Sequence, residues 1–330
     1  VSDRILVTGA NGFVGSALCR RLHSSGFLVR GAVRDRAKLP QQGDLESKDC
    51  EWVVLHDQSP EDETRDALQE VSAVVHLAAR VHVMADDAAD PLREFRRVNC
   101  DWTEQLARAA ALQGARRFVY LSSIKVNGER SIHPFTEQDP PNPHDPYGIS
   151  KWEAEQGLAR VSSQTGLEIV VVRSPLVYGP GVGGNVLQLL HIIRRGIPLP
   201  LASVHNRRSL IYLGNLVDAL ACCVKDVRAA GETYLVSDGE DLSTPELIRQ
   251  LAKALELPAR LWPVPLSMLR WIGSVAGMQA IIDRLLGSLQ VDSSKIRKGL
   301  DWSPPYSVGQ GFAETAAWYS DRLPQIAQVS

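Results

Sequence analysis

The chain has 330 residues, with 36 Lys and Arg against 38 Asp and Glu, and a formal net charge of −2. Apolar residues make up 44% and charged residues 22%, the balance of a globular chain forming one large domain or two moderate ones. No long basic run occurs, so neither charge nor composition gives a reason to expect nucleic-acid binding.

The opening "RILVTGA" predicts a strand, followed by a helix over about residues 12–25. "FLVRGAV" predicts a second strand and "EWVVLH" a short third. "DETRDALQEV" predicts a helix, and "AVVHLAA" a fourth strand. A long helix runs through "REFRRVNCDWTEQLARAAALQG", then "RRFVYLSS" forms a fifth strand. After a proline-rich loop come a helix over 147–165 and a sixth strand, "LEIVVVRSPLVYG". These strands are apolar runs rather than clean alternations, the pattern of a parallel sheet covered on both faces. The strand–helix rhythm predicts an α/β, Rossmann-type doubly wound sheet.

After Gly179 the rhythm breaks. Gly181, Gly183 and Gly184 form a loop and "NVLQLLHIIRRG" a helix. "RRSLIYLGNLVDALACCVK" gives a short strand and a helix, and "ETYLVSD" another strand. The chain from "STPELIRQLAKAL" onward is mostly helical. The expected division is a dinucleotide-binding domain over 1–180, with 209–238 returning to it. A smaller, mostly helical substrate-binding lobe would comprise 181–208 and 239–330. The apolar stretch "LWPVPLSMLRWIGSVAGM", residues 261–278, is broken by Pro263, Pro265 and Arg270 and is short for a membrane span. It is expected to be a buried or groove-facing helix, with membrane-surface contact as the alternative.

The five cysteines, Cys19, Cys50, Cys100, Cys222 and Cys223, are odd in number and form no CxxC. They fit reduced thiols in a cytoplasmic protein. The eight histidines show no metal-ligand spacing, so no metal is expected. The first residues run straight into a strand, and no secretory leader is expected.

"TGANGFVG" sets Gly9, Gly12 and Gly15 between the first strand and the first helix. Glycines there allow a tight turn and let backbone approach a pyrophosphate at the positive helix N-terminus. An acid at the end of the second strand would hold the adenine ribose. Val33 stands there instead, followed by Arg34, whose guanidinium forks onto phosphate oxygens. The expected cofactor is therefore NADP(H), with NAD(H) possible because Asp35 restores an acid two places on. "DPYGISK" puts Tyr147 and Lys151 one turn apart, with Asp145 as helix cap and Pro146 in the first turn. A lysine ammonium beside a tyrosine stabilises phenolate and makes the phenol a usable acid–base.

With "TGANGFVG", "HLAA", "VNCDWT", "LSSIKVNG", "YGISK", "RSPLVYGPG", "RRSLIYLGNLVDA" and "LDWSP" together, the chain resembles the extended short-chain dehydrogenase/reductase family, in its nucleotide-sugar epimerase, dehydratase and reductase branch. The resemblance covers nearly the whole chain. It implies a catalytic set of Ser123, Tyr147 and Lys151, with Ser122 as the adjacent alternative to Ser123. It implies cofactor contacts from Gly9, Asn11, Gly12, Phe13, Val14 and Gly15, from Arg34, from Asp57 at the adenine with Gln58 beside it, from Leu77, Ala78 and Ala79, from Asn99, and from Tyr147 and Lys151. Arg80, Lys125, Asn185 and Arg208 are the implied substrate contacts, Arg208 meeting the diphosphate. A homodimer through the helices near 92–113 and 147–165 is implied as well.

Two departures from the family pattern narrow the reaction. Dehydratases carry an acidic pair directly after the serine or threonine, and here Ile124 and Lys125 stand in those places, so dehydration is disfavoured. Val33 and Arg34 suit an exchangeable NADPH. The leading expectation is thus a 4-keto reductase acting on a nucleoside-diphosphate sugar, of the UDP-6-deoxy-N-acetylhexosamine type. The alternative is an NAD-dependent UDP-sugar 4-epimerase. Further alternatives are a carbonyl reductase like those of dihydroflavonols, and a non-catalytic NADP sensor, against which the intact triad argues.

Overall fold

The computed structural model describes residues 3–39, 50–81, 90–275, 277 and 279–322. Its main sheet has seven strands in the order β3-β2-β1-β4-β5-β6-β9. These are β1 (Arg4–Thr8), β2 (Leu28–Val33), β3 (Glu51–Val54), β4 (Val71–His76), β5 (Arg117–Ser123), β6 (Glu168–Ser174) and β9 (Thr233–Leu235), every neighbouring pair parallel. The doubly wound α/β fold expected from the strand–helix rhythm is present. The order reverses between β1 and β4, so the strand ends at Thr8 and His76 open a crevice at the carboxyl edge, where ligands of such sheets bind.

Both faces of the sheet are dry. Ile5 and Val7 of β1, Val75 of β4 and Val119 of β5 point to one side, under α1 (Phe13–Ser24) and α7 (Leu213–Lys225). Leu6, Val74, Phe118 and Tyr120 point to the other, under α2 (Glu61–Leu68), α4 (Trp102–Leu112) and α5 (Pro146–Thr165). The two-residue alternation of a strand thus serves two separate cores, which is why the sequence shows unbroken apolar runs.

Two expected elements divide. The sixth strand stops at Ser174, and after Pro175 the chain forms β7 (Leu176–Tyr178), which pairs in parallel with β8 (Leu210–Tyr212) as a separate small sheet. Proline has no N–H to continue a ladder. The long helix through 92–113 is α3 (Pro91–Arg96), a π-helical segment Arg97–Asp101 and α4. The remaining helices are α6 (Gly184–Arg194), α8 (Thr244–Ala254), α9 (Leu266–Val275), α10 (Gln279–Leu286), α11 (Ser294–Gly299) and α12 (Val308–Asp321). Asp238, just past β9, ties the small sheet and α7 to the main sheet: its carboxylate accepts from the Tyr178 hydroxyl at 2.9 Å, the Tyr212 N–H at 2.9 Å and the Asn215 amide at 2.7 Å. The expectation of a buried or groove-facing helix over 261–278 is corrected: α9 buries Leu269 but exposes Met268, Trp271 and Val275.

At the far end of β5, Arg117 is fully buried. Its Nη1 donates to the carbonyls of Cys223, Val224 and Asp226 at 2.6–3.1 Å, closing the C-terminal end of α7, while Nη2 meets Glu168 at 2.7 Å. A cation suits that end of the helix dipole. Replacing it leaves three carbonyls and a carboxylate short of donors. Arg117→Met should lower the unfolding free energy by about 3 kcal/mol or more; urea titration checks this, and an unchanged midpoint would show that water replaces the guanidinium.

Candidate active site

The first loop is shaped by close backbone approach. Gly9 has φ +67°, and a Cβ on it would lie 3.1 Å from the Ala78 nitrogen. A Cβ on Gly15 would fall 2.0 Å from the Gly9 carbonyl oxygen, so only glycine lets α1 start this near the turn. Gly12 caps α1 without a side chain, the first helical turn (Phe13, Val14) holds no acid, and Asn11 and Gly12 are exposed. This loop is an open helix N-terminus with free amides, a fit for a dinucleotide's pyrophosphate.

Leu77, Ala78 and Ala79 follow β4 on the other side of the crevice. Thr8 Oγ1 accepts from the Leu77 and Ala78 amides at 3.2 Å each, so its own proton goes to His76 Nδ1, 2.8 Å away. The Thr103 hydroxyl donates to the Asn99 carbonyl at 2.8 Å and must accept from His76 Nε2 at 3.0 Å. His76 is therefore the neutral Nε2–H tautomer, and its pKa falls to about 3, through burial first and the Lys151 charge second. Asn99, expected beside the cofactor, pins the loop after β4. It accepts from the Arg80 N–H at 2.7 Å and donates to the Arg80 carbonyl and the Ser150 hydroxyl at 3.0 Å each. The Arg80 guanidinium lies over Phe95, 5.5 Å from the ring centroid.

Ser123 ends β5 and Tyr147 opens α5 behind the Asp145 cap, whose carboxylate accepts from Gly148 N at 2.6 Å. Lys151, one turn further, is only 2% exposed. Its Nζ donates to the Leu121 carbonyl at 2.8 Å and lies 4.4 Å from the Tyr120 ring centroid and 6.0 Å from that of Tyr147. Burial brings its pKa down to about 7, with the Glu155 carboxylate opposing. Tyr147 is pushed up to about 12 by burial and by Asp145, and a hydrogen bond from Ser123 works against this. Ser122, the adjacent alternative, turns away: its hydroxyl donates to Glu155 at 2.5 Å, within a buried Glu155–Arg173 pair at 2.6 Å. The structure thus brings Ser123, Tyr147 and Lys151 together. Lys125 joins them, its Nζ 5.9 Å from the Tyr147 ring centroid, ion-paired with Asp145 and, at 3.5 Å, with Glu129.

The outlying residues are placed as follows. Arg34 and Asp35 leave β2 side by side and exposed, and Asp35 accepts from Ala37 N at 2.9 Å. Asp57 pairs with Arg97, which occupies the carboxylate expected at the adenine, while Gln58 is exposed. Asn185 is exposed in the first turn of α6. Arg208 gives Nη1 to the carbonyls of Arg284 at 2.7 Å and Gly287 at 3.1 Å, so its guanidinium is partly committed within the lobe. Among the described residues no group of His, Cys, Asp or Glu could hold a metal. Sequence reasoning missed the Thr8–His76–Thr103 chain and the Tyr120 ring; the "T" of "TGANG" and the "H" of "HLAA" were their only local marks.

A parallel sheet with a glycine-lined helix N-terminus at its switch point, beside a serine, a tyrosine and a buried lysine, defines a dinucleotide-dependent oxidoreductase of the short-chain type. Residues 5–237 match the NAD dependent epimerase/dehydratase family, and the chain belongs to that family, in the extended short-chain dehydrogenase/reductase superfamily. It is 41% identical over 322 residues to a UDP-glucose 4-epimerase of Vibrio cholerae, covering 94% of each chain. Its fold matches a dTDP-glucose 4,6-dehydratase of Streptomyces venezuelae solved with NAD (TM-score 0.78, 24% identity, 98% of each chain). It also matches a UDP-glucuronic acid 4-epimerase of Bacillus cereus solved with NAD (TM-score 0.76, 22% identity, 96% of this chain and 99% of that one). The protein is an NAD(P)-dependent enzyme of the epimerase/dehydratase branch.

The preference for NADP(H) expected from Val33 and Arg34 is overturned by these comparisons, since the structures of this fold were captured with NAD. Arg34 steps off the strand exposed, and the acid Asp35 stands beside it at the strand end.

The depressed Lys151 pKa has a consequence for stability. Between about 7 and the ordinary 10.5, an unfolded chain holds a proton that the native lysine lacks, so stability rises with pH through that window. The burial penalty is fully present below it. The cofactor-free protein should therefore gain on the order of 4 kcal/mol from pH 7 to 10 in urea titrations, relative to Lys151→Met. Parallel pH profiles of the two proteins would show that Lys151 keeps its charge in solution.

Proposed function

We propose that the protein is an NAD-dependent 4-epimerase of a uridine-diphosphate sugar. Support comes from the 41% identity to the Vibrio cholerae UDP-glucose 4-epimerase and from the residues after Ser123. The observation that carries the choice within the family is at 124 and 125. Ile124 is buried in an apolar cluster with Leu235, Leu289 and Val291, and Lys125 is tied to Asp145. Elimination of water needs an acid and a base in addition to the tyrosine, and neither residue can act as one. The reading as a 4-keto reductase leaned on a cofactor that exchanges, and it loses that support with the NADP preference.

The glycine loop, Phe13, Val14 and the Leu77–Ala78–Ala79 turn would hold NAD, which when bound supplies the acceptor and donor of the sugar's C4 hydride and a positive ring near the phenol. Tyr147 takes the proton of the C4 hydroxyl and returns it to the same oxygen after the 4-keto sugar has turned over. Ser123 holds that oxygen by a hydrogen bond and also holds the phenol in line. Lys151, when charged, lowers the cost of the phenolate. Lys125 and Arg80 flank the sugar position, and Asn185 and Arg208 face the nucleotide and its diphosphate.

Tyr147→Phe should lower kcat by about 10²–10⁴-fold, with NAD affinity unchanged. In the unmutated enzyme, two C4 epimers of a UDP-sugar should interconvert over many turnovers with no net change in nicotinamide absorbance. Stoichiometric consumption of reduced cofactor would restore the reductase reading, and loss of water from the sugar would establish a dehydratase.

Arg34→Ala tests whether the guanidinium takes part in cofactor binding. NAD affinity in a fluorescence titration should match the unmutated protein; a clear loss would mean that the guanidinium contacts the cofactor.

A further inference from the structure

Outside the site, the largest unpartnered apolar feature among the described residues lies on and before α9. Trp262 is 63% exposed, Met268 52%, Trp271 66% and Val275 70%. Met268, Trp271 and Val275 are three and four residues apart, so they form one stripe on the helix. Leu269 faces the opposite way and joins the main core, which fixes the stripe outward. A helix that is anchored on one side has no need of a tryptophan, a methionine and a valine on the other, with Trp262 exposed just before it.

The charges around the stripe narrow what covers it. Residues 257–287 contain three arginines and a single acid, in a chain whose net charge is −2. Arg270 is exposed on α9 and Arg284 on α10, and Arg207 is exposed next to the α10 end. The single acid, Asp283, is neutralised by Arg130 at 3.0 Å. A twofold contact of this face with a second copy would set arginines against arginines. An anionic surface with an apolar interior answers both features: tryptophan side chains lodge at the headgroup level, and arginines meet lipid phosphates. No helix among the described residues is long and apolar enough to cross a membrane.

We propose that the Trp262–α9 face is a peripheral membrane-binding surface that seats the protein on an anionic lipid bilayer. α10 packs beside α9 and is tied at its C-terminal end to Arg208 through the Arg284 and Gly287 carbonyls, so the bilayer would lie alongside the lobe that carries Arg208. The inference stands on exposure and charge alone and does not depend on the epimerase reading.

The test is co-sedimentation of the full chain with vesicles of equimolar phosphatidylcholine and phosphatidylglycerol, against vesicles of phosphatidylcholine only. The protein should pellet with the anionic vesicles, less so with the neutral ones, and less at high salt. The double variant Trp271→Ser/Val275→Ser should lower the bound fraction by about tenfold or more, since both side chains would leave the interface. Its melting temperature and UDP-sugar turnover should match the unmutated protein, which separates a failure here from a failure of the proposed reaction. Brominated lipids should quench tryptophan emission in the unmutated chain and much less in Trp262→Phe/Trp271→Phe. The proposal is overturned by absence of pelleting with either vesicle, or by pelleting that the double variant leaves intact. It is equally overturned if the double variant changes the oligomeric state instead, which would make the face an interface between copies.

Discussion

The site is organised around one cation held out of water. Burying the Lys151 ammonium is unfavourable, and the fold offsets that with the Leu121 carbonyl, the face of Tyr120 and the more distant carboxylate of Glu155. These come from two elements. Leu121 and Tyr120 belong to β5, and Glu155 sits one turn along α5 from the lysine, held by Arg173 of β6. The packing of α5 against β5 and β6 therefore sets the surroundings of the Lys151 ammonium, one turn from Tyr147. The same web explains Ser122: a serine paired with Glu155 completes the support of the lysine, and only the next residue, at the end of the strand, is left for chemistry.

Much of this was legible in the sequence. The glycine spacing, the apolar strand runs and the YxxxK pair are local patterns, each enforced by backbone sterics or helix geometry within a few residues. What was not legible depends on pairs far apart in the chain. His76 reaches Thr8 and Thr103, 68 and 27 residues away, and no spacing rule joins them. Asn99 likewise gives no sign in the sequence that its side chain bonds to Arg80 and Ser150, 19 and 51 residues away. The sixth strand reads through Pro175 as one in the sequence, and the partner of the detached β7 lies across a helix and a long loop, so the small second sheet was not foreseen.

The arginine after the second strand shows a different kind of error. Reading Arg34 as a phosphate ligand treated one side chain as the field. In the structure Asp35 stands equally exposed, and its carboxylate caps the turn Arg36–Lys38 instead of reaching toward the crevice. Arg36 and Lys38 follow as two more exposed cations, so the sign of the local charge does not by itself select the cofactor. A single residue type at a motif position is thus weak grounds for one.

The pair after Ser123 is informative for the opposite reason, because its chemistry does not rest on distant partners alone. Isoleucine has no proton to give at any pH, and its burial beside Leu235 and Val291 excludes a solvent-borne substitute at that point. Lys125 is positive and held by Asp145, the residue that caps α5 and so orients Tyr147. The cation that replaces a dehydratase acid is therefore built into the support of the tyrosine. It pairs with the same Asp145 carboxylate that raises the Tyr147 pKa, so the side chain standing where a dehydratase has an acid is engaged in holding the cap of the tyrosine's helix.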